Sequence, residues 1–199
     1  FINFTILDTD NKKFLNKMYE LNLTDYKIIR PVKLSKDNIK TIESLRACIR
    51  TMETSLKLNV DNIIILQPSS PLISIKSIDL AIKKYLDEKL DLVVSFSEIP
   101  LNINDCIAVE ESCIKNKFSR EYVATENVLF ETGGIYILSR TRLFTNENPF
   151  LVESIENIFK VPLIEFIDVD FSSQFNMAVS LYNSNAFSIS FTALFLSSI

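Results

Sequence analysis

The sequence predicts an α/β fold with a mostly parallel sheet, and three observations carry that prediction. Ile63, Ile64, Ile65 and Leu66 form an unbroken β-branched and apolar run, the pattern of a strand covered on both faces and hence of a central strand. Helical spacing flanks it on both sides: Ile39, Ile42, Leu45, Ile49 and Met52 within Asn38 to Lys57, and an amphipathic stretch from Ile75 to Leu86. Leu92 to Phe96 (LVVSF) then gives a second buried run, so strand, helix and strand form a βαβ unit, which is right-handed and parallel in nearly all proteins.

In chain order, Phe1 to Leu7 reads as an opening strand, and Asn11 to Leu21 as a helix with Phe14, Leu15, Met18 and Leu21 on one face. Asp8 and Asp10 read as caps for that helix. Tyr26 to Ile29 is a short strand running into Arg30-Pro31, where the proline fixes an arginine at the carboxyl end of a strand. There a guanidinium can reach phosphate, carboxylate or a base edge, although on its own Arg30 reads as a surface ion-pair partner. Thr41, in the first turn of the next helix, reads alone as a cap.

The central run stops at Gln67-Pro68-Ser69-Ser70-Pro71, because two prolines remove backbone donors and end the ladder. Gln67, Ser69 and Ser70 are thereby held at the carboxyl end of a strand, the edge where open α/β sheets bind ligands. The plainer reading is that the two serines cap the helix that follows. Glu98 to Phe130 shows only weak periodicity. Gly133 and Gly134, the only glycines, sit together at the entry to the strand Ile135-Tyr136-Ile137, a place for positive φ or close approach of a ligand. Leu151 to Phe159 reads as a short helix and Leu163 to Ile167 as a final strand. On such a strand the carboxylates of Asp168 and Asp170 face the same way and suit one hard cation; a solvated strand end is the plainer alternative.

Composition narrows the chemistry. The length of 199 residues fits one domain able to bury roughly 70% of its unfolded surface. A net charge of -4 and no basic stripe argue against a nucleic-acid partner, while a free nucleotide stays open. Histidine is absent, which removes Ser-His-Asp and Cys-His catalysis. Cys48, Cys106 and Cys113 lack metal-ligand spacing and read as reduced thiols of a cytoplasmic protein, so a metal would be held by carboxylates, as Mg2+ is. No apolar span reaches membrane length. The 21 basic and 25 acidic side chains all lie before residue 171, leaving an uncharged end; a domain of 1–182 and an apolar tail of 183–199 are expected.

Four motifs in register from about Phe4 to Ala178 resemble the acylneuraminate cytidylyltransferases, which make CMP-sialic acid and related CMP-activated sugar acids. Leu66-Gln67-Pro68-Ser69-Ser70-Pro71-Leu72 is similar to the family's L-Q-P-T-S-P-L-R, with Ile73 at the arginine. Arg30, Pro31, Leu34 and Asp37 match R-P-x-x-L-A-x-D; Gly133, Ile135, Tyr136 and Ile137 match N-G-A-I-Y-I, with Thr132 at the asparagine; Ile167 to Asp170 matches I-D-V-D. The resemblance implies a Rossmann-like three-layer αβα sandwich of the nucleotide-diphospho-sugar transferase type and transfer of CMP from CTP to a nine-carbon sugar acid. It implies that Arg30 and Thr41 contact CTP, that Gln67 and Ser70 orient the sugar acid, that Ser69, Gly133 and Tyr136 also line the site, that Asp168 and Asp170 hold Mg2+, and that the chain pairs as a homodimer. The family opens on a strand and a basic loop, A-R-x-x-S-K-G, that wraps the triphosphate, and this chain starts roughly 40 residues later. The first strand is therefore expected to be missing and turnover weak or absent. Two further readings are a nucleotide-sugar binding domain or inactive remnant, and a glycosyltransferase using Asp168-Val169-Asp170.

Overall fold

A computed structural model describes residues 2–36, 40–99, 107–110, 113–117 and 128–184. Asp37, Asn38, Ile39, Cys106 and residues 185–199, on which some of the sequence expectations fall, lie outside these. The strands are β1 (Ile6–Thr9), β2 (Tyr26–Ile29), β3 (Asn62–Leu66), β4 (Leu92–Ile99), β5 (Ile107–Glu110), β6 (Cys113–Lys117), β7 (Val128–Ser139) and β8 (Ile158–Val161). The helices are α1 (Lys12–Glu20), α2 (Thr41–Leu56), α3 (Ile75–Asp87), α4 (Arg140–Thr145) and α5 (Ser172–Asn183).

The chain is a mixed α/β fold whose main sheet has the order β3-β7-β4-β8. β7 runs antiparallel to both β3 and β4, whereas β8 is parallel to β4. The sheet is therefore mixed rather than mostly parallel. A parallel neighbour needs a crossover, usually a helix. Between β4 and β7 the described residues instead hold the antiparallel pair β5–β6, and β7 returns beside β4 in the opposite sense.

Helices cover both faces of this sheet. Ile42 and Ile49 of α2 and Leu143 of α4 pack with Ile63, Leu92, Val94 and Leu138 on one side. Ala81, Ile82 and Tyr85 of α3 pack with Ile73, Val93, Ile135, Ile137 and Val161 on the other. Alternate residues of β4 and β7 thus serve opposite cores, as the period of two requires. Leu92, Val93 and Val94 are fully buried, so β4 and β7 are the central strands. β3 is not: among the described residues it bonds only to β7, Ile64 and Ile65 are half-buried, and Leu66 is 47% exposed. β1 and β2 form a separate parallel pair, so β1 too has one edge unbonded among the described residues.

Several local expectations change for physical reasons. The first strand begins at Ile6 rather than Phe1. Asn11, not Asp8 or Asp10, caps α1, accepting the Phe14 amide at 3.1 Å. Ser74, not Ser69 or Ser70, caps α3, accepting the Ser77 amide at 3.1 Å. The segment read as a helix at Leu151 to Phe159 is a 3-10 turn (Ile155–Asn157) leading into β8. Pro162, with φ -55 and no donor, ends β8 and starts another 3-10 turn (Leu163–Glu165) where a strand was expected.

Candidate functional site

At the carboxyl end of β3 the chain turns sharply, with the Ser70 amide donating to the Gln67 carbonyl at 3.1 Å. Pro68 and Pro71 restrict the backbone on either side of the turn. Ser70 is buried, and its Oγ donates to the Thr132 carbonyl at 3.2 Å. The Ser69 carbonyl accepts the Val169 amide at 2.7 Å. Two hydrogen bonds therefore tie this turn to Thr132, beside the glycine pair, and to Val169, between the two aspartates, segments remote from it in sequence.

The glycine pair lies in a pronounced bulge. Two steps along β4, from Val94 to Phe96, are matched by five along β7, from Tyr136 to Glu131, so residues 132–135 leave the ladder with β4, while Ile135 stays paired with Leu66 of β3. Ser95 replaces the lost backbone partner: its Oγ accepts the Ile135 amide at 2.9 Å and lies 2.7 Å from the Thr132 Oγ1. The Thr132 hydroxyl also reaches the Ser95 carbonyl at 3.2 Å. Thr132 is thereby turned into the core and offers no side chain to a ligand, unlike the asparagine it resembles in position.

Gly133 is the centre of the site. Its φ of +70 is one that side chains of L-residues disfavour, and its bare Cα faces three polar groups. An ideal Cβ there would lie 3.3 Å from Gln67 Oε1, 3.5 Å from Asp168 Oδ2 and 3.8 Å from Ser70 Oγ. Next to it, a Cβ on Gly134 would lie 2.5 Å from both Cγ1 and Cδ1 of Ile73. Ile73, where the resemblance has arginine, is 6% exposed and part of the α3-side core, so it offers no anion contact.

Asp168 is half-buried, and its Oδ1 is buried without a hydrogen-bond partner among the described residues. Asp170 is exposed. Residues 166–169 follow the 3-10 turn and are not a strand, so the alternation that would aim both carboxylates one way does not apply. Gln174 Oε1 accepts the Asp170 and Phe171 amides at 2.9 and 2.8 Å, which fixes the start of α5. An orphaned buried carboxylate oxygen suits a hard cation that keeps several waters and takes its other oxygens from substrate phosphate. No group of three or more Asp, Glu, Cys or His side chains able to hold a metal occurs among the described residues.

The other expected site residues lie apart from this cluster or on its margin. Arg30 donates from Nε to Asp8 Oδ2 at 3.1 Å and from a terminal nitrogen to the Asp8 carbonyl at 3.2 Å, joining the ends of β2 and β1. It is the ion-pair partner that its residue type alone suggested, and Asp8, read as a cap, is the acid. Burial pushes the Asp8 carboxyl up and outweighs the opposing effect of Arg30; burial also pushes the nearby Cys48 thiol up to about 12, too high for a reactive thiolate. Thr41 is the exposed first residue of α2. Tyr136 faces the α2 side, packs edge-on against Phe150 at 5.1 Å and donates to Glu131 Oε1 at 2.5 Å. Burial raises its phenol pKa, with Glu131 and then Asp168 adding to the effect.

A separate concavity of about 680 Å³ lies at the opposite, amino end of β3, lined by Glu53, Lys57, Asp61 and Arg140 among others. Two of its charges are engaged with each other, Arg140 gripping Glu53 at 2.6 and 2.9 Å, and the carboxyl end is the productive edge of such sheets. Gln67, Ser69, Ser70, Gly133 and Asp168 are thus brought together, supported by Gly134, which the glycine pair announced, and by Ser95 and Ile73, which no local pattern did. No known protein-family model matches the chain, and no curated protein matches it either.

Proposed function

We propose that the chain is the nucleotide-binding domain of a cytidylyltransferase that moves CMP from CTP to a sialic-acid-like nine-carbon sugar acid and releases pyrophosphate. The observation that carries this reading is the meeting of Gln67, Ser70 and Asp168 around the uncovered Cα of Gly133. Those residues come from three of the four motifs of the resemblance, and their convergence is what a single site requires.

In this reading the sugar's anomeric hydroxyl attacks the α-phosphorus, the bond to the bridging oxygen of pyrophosphate breaks, and the hydroxyl proton is lost as the new P–O bond forms. The Gln67 amide and Ser70 hydroxyl orient the sugar acid, and the absence of a Cβ at Gly133 lets it approach the backbone. Asp168 and Asp170 would hold Mg2+, which supplies charge screening for the triphosphate when bound. Arg30 and Thr41 would meet CTP, Arg30 sharing its guanidinium with Asp8. A cytoplasmic homodimer is part of the same proposal. No helix among the described residues is long and apolar enough to cross a membrane.

One observation favours a second reading, binding without transfer: Arg30 is already engaged by Asp8. Calorimetric titration with CTP and with UDP-sugars, each with and without magnesium, alongside an assay of pyrophosphate release, tests all of these. CTP-selective, magnesium-dependent binding with release supports the transferase, and binding alone supports the second reading. Preference for UDP-sugars points to a glycosyltransferase, and no binding removes the proposal.

A further inference from the structure

Gly134 and Ile73 occupy one space. Ile73 packs with Val93, Ile135 and Ile137 in the α3-side core, and its Cγ1 and Cδ1 fill the volume that a side chain at 134 would need. The same hypothetical Cβ would sit 3.4 Å from the Ser70 Cβ, so any group placed there presses on the turn as well as on the core. Ile73 is itself linked to that turn, its amide donating to the Ser70 carbonyl at 3.5 Å. Gly134 has no positive φ to require glycine, so the requirement is one of space.

We propose that Gly134 and Ile73 are a positioning pair: the missing Cβ at 134 lets the Ile73 side chain lie behind the bulge, and this contact sets the Ser69–Ser70 turn against Gly133 and Asp168. Neither residue touches the ligand space. Ile73 is buried, and Gly134 faces it from the adjoining strand. The pair acts on the geometry of its neighbours through close packing, which transmits displacement because interiors have no slack. The proposal concerns the same site as the functional reading above but not its chemistry.

The readout is the hydrogen exchange of the Val169 amide, which reports the 2.7 Å bond to Ser69 and needs no ligand. Amides in the middle of α3 serve as the reference for global stability. Gly134→Ala is expected to lower Val169 protection at least tenfold more than it lowers protection in α3. Ile73→Ala removes both clashing carbons, so the double variant Gly134→Ala/Ile73→Ala should recover to within about threefold of the wild type at Val169. Equal losses in α3 and at Val169, or a double variant no better than Gly134→Ala, would overturn the pairing. If Gly134→Ala does not fold, the double variant must, and its failure to fold also overturns it. Magnesium-dependent CTP titration of the wild type separates the two claims: no binding there removes the functional reading and leaves the exchange result to stand alone.

Discussion

The Val169 amide donates to the Ser69 carbonyl at 2.7 Å, and this bond brings Asp168 beside a turn from the first half of the chain. Asp168 pays for that location with a buried Oδ1 that has no partner among the described residues. A charged oxygen without a partner is a liability to folding unless a ligand uses it. Asp168→Asn should therefore leave thermal stability unchanged or higher, while lowering magnesium-dependent CTP affinity at least tenfold, about 1.4 kcal/mol. Paired melting and calorimetric measurements check it. A lower melting temperature with unchanged affinity would make the carboxylate structural.

Gly133→Ala introduces a side chain where φ is +70 and where Gln67 Oε1 would be 3.3 Å away. The conformation alone costs about 1–2 kcal/mol, and the Gln67 side chain must shift by a few tenths of an ångström. Chemical denaturation should register the first effect and ligand titration the second. Adding Gln67→Ala relieves the contact but not the conformational cost, so stability should stay low in the double variant. Full recovery there would show that the contact, not the φ, makes glycine necessary.

Two buried serines on β4 should respond with opposite signs. Ser95 Oγ accepts the Ile135 amide and pairs with Thr132, so Ser95→Ala leaves a buried donor unmatched and should cost about 1–3 kcal/mol. Ser97, also fully buried, has an Oγ without a partner among the described residues, so Ser97→Ala should be neutral or stabilising. Urea midpoints of the two variants decide it. A comparable loss in both would mean that serine volume, not hydrogen bonding, is what β4 requires.

These contrasts mark where the sequence is informative. Periodicity identified α2, α3, β3 and β4, because their burial repeats along the chain itself. It gave β3 the wrong position, since an apolar run shows that a strand is covered and not which strands flank it. The insertion of β7 between β3 and β4, and its bulge, depend on pairing between distant segments and have no local signature. At the site, the prolines announced the Gln67–Ser70 turn, the paired glycines and the Asp-x-Asp spacing pointed to Gly133 and Asp168, and the resemblance joined them into one site. Ser95 and Ile73 were not read as supports, because a serine or isoleucine in a strand or turn looks the same whether or not a bulge leans on it. Arg30 was readable as an ion-pair partner, but Asp8 was assigned to a cap that Asn11 provides.

Asp8 and Glu53 should bend the pH dependence of stability in opposite directions. The folded-state pKa of Asp8 is raised, chiefly by burial, so the folded chain binds its proton more tightly than the unfolded chain does. Its contribution is therefore most favourable at low pH and is lost as pH rises from the ordinary value of 3.8 through the raised one. Glu53 is the reverse: hydrogen bonding from Arg140 lowers its pKa below 4.5, so its contribution is present above that value and is lost as pH falls through the lowered one. Urea midpoints collected from pH 3 to 7 should show Glu53→Gln flattening the acid limb and Asp8→Asn removing a decline on the way toward neutrality. Asp8→Asn also strips Arg30 of its anion, a loss felt only above the raised pKa, where Asp8 is ionised, and absent at the acid end of the series. A curve for Asp8→Asn parallel to the wild type throughout would mean that Asp8 titrates alike in the folded and unfolded chains, the effect of Arg30 then cancelling that of burial.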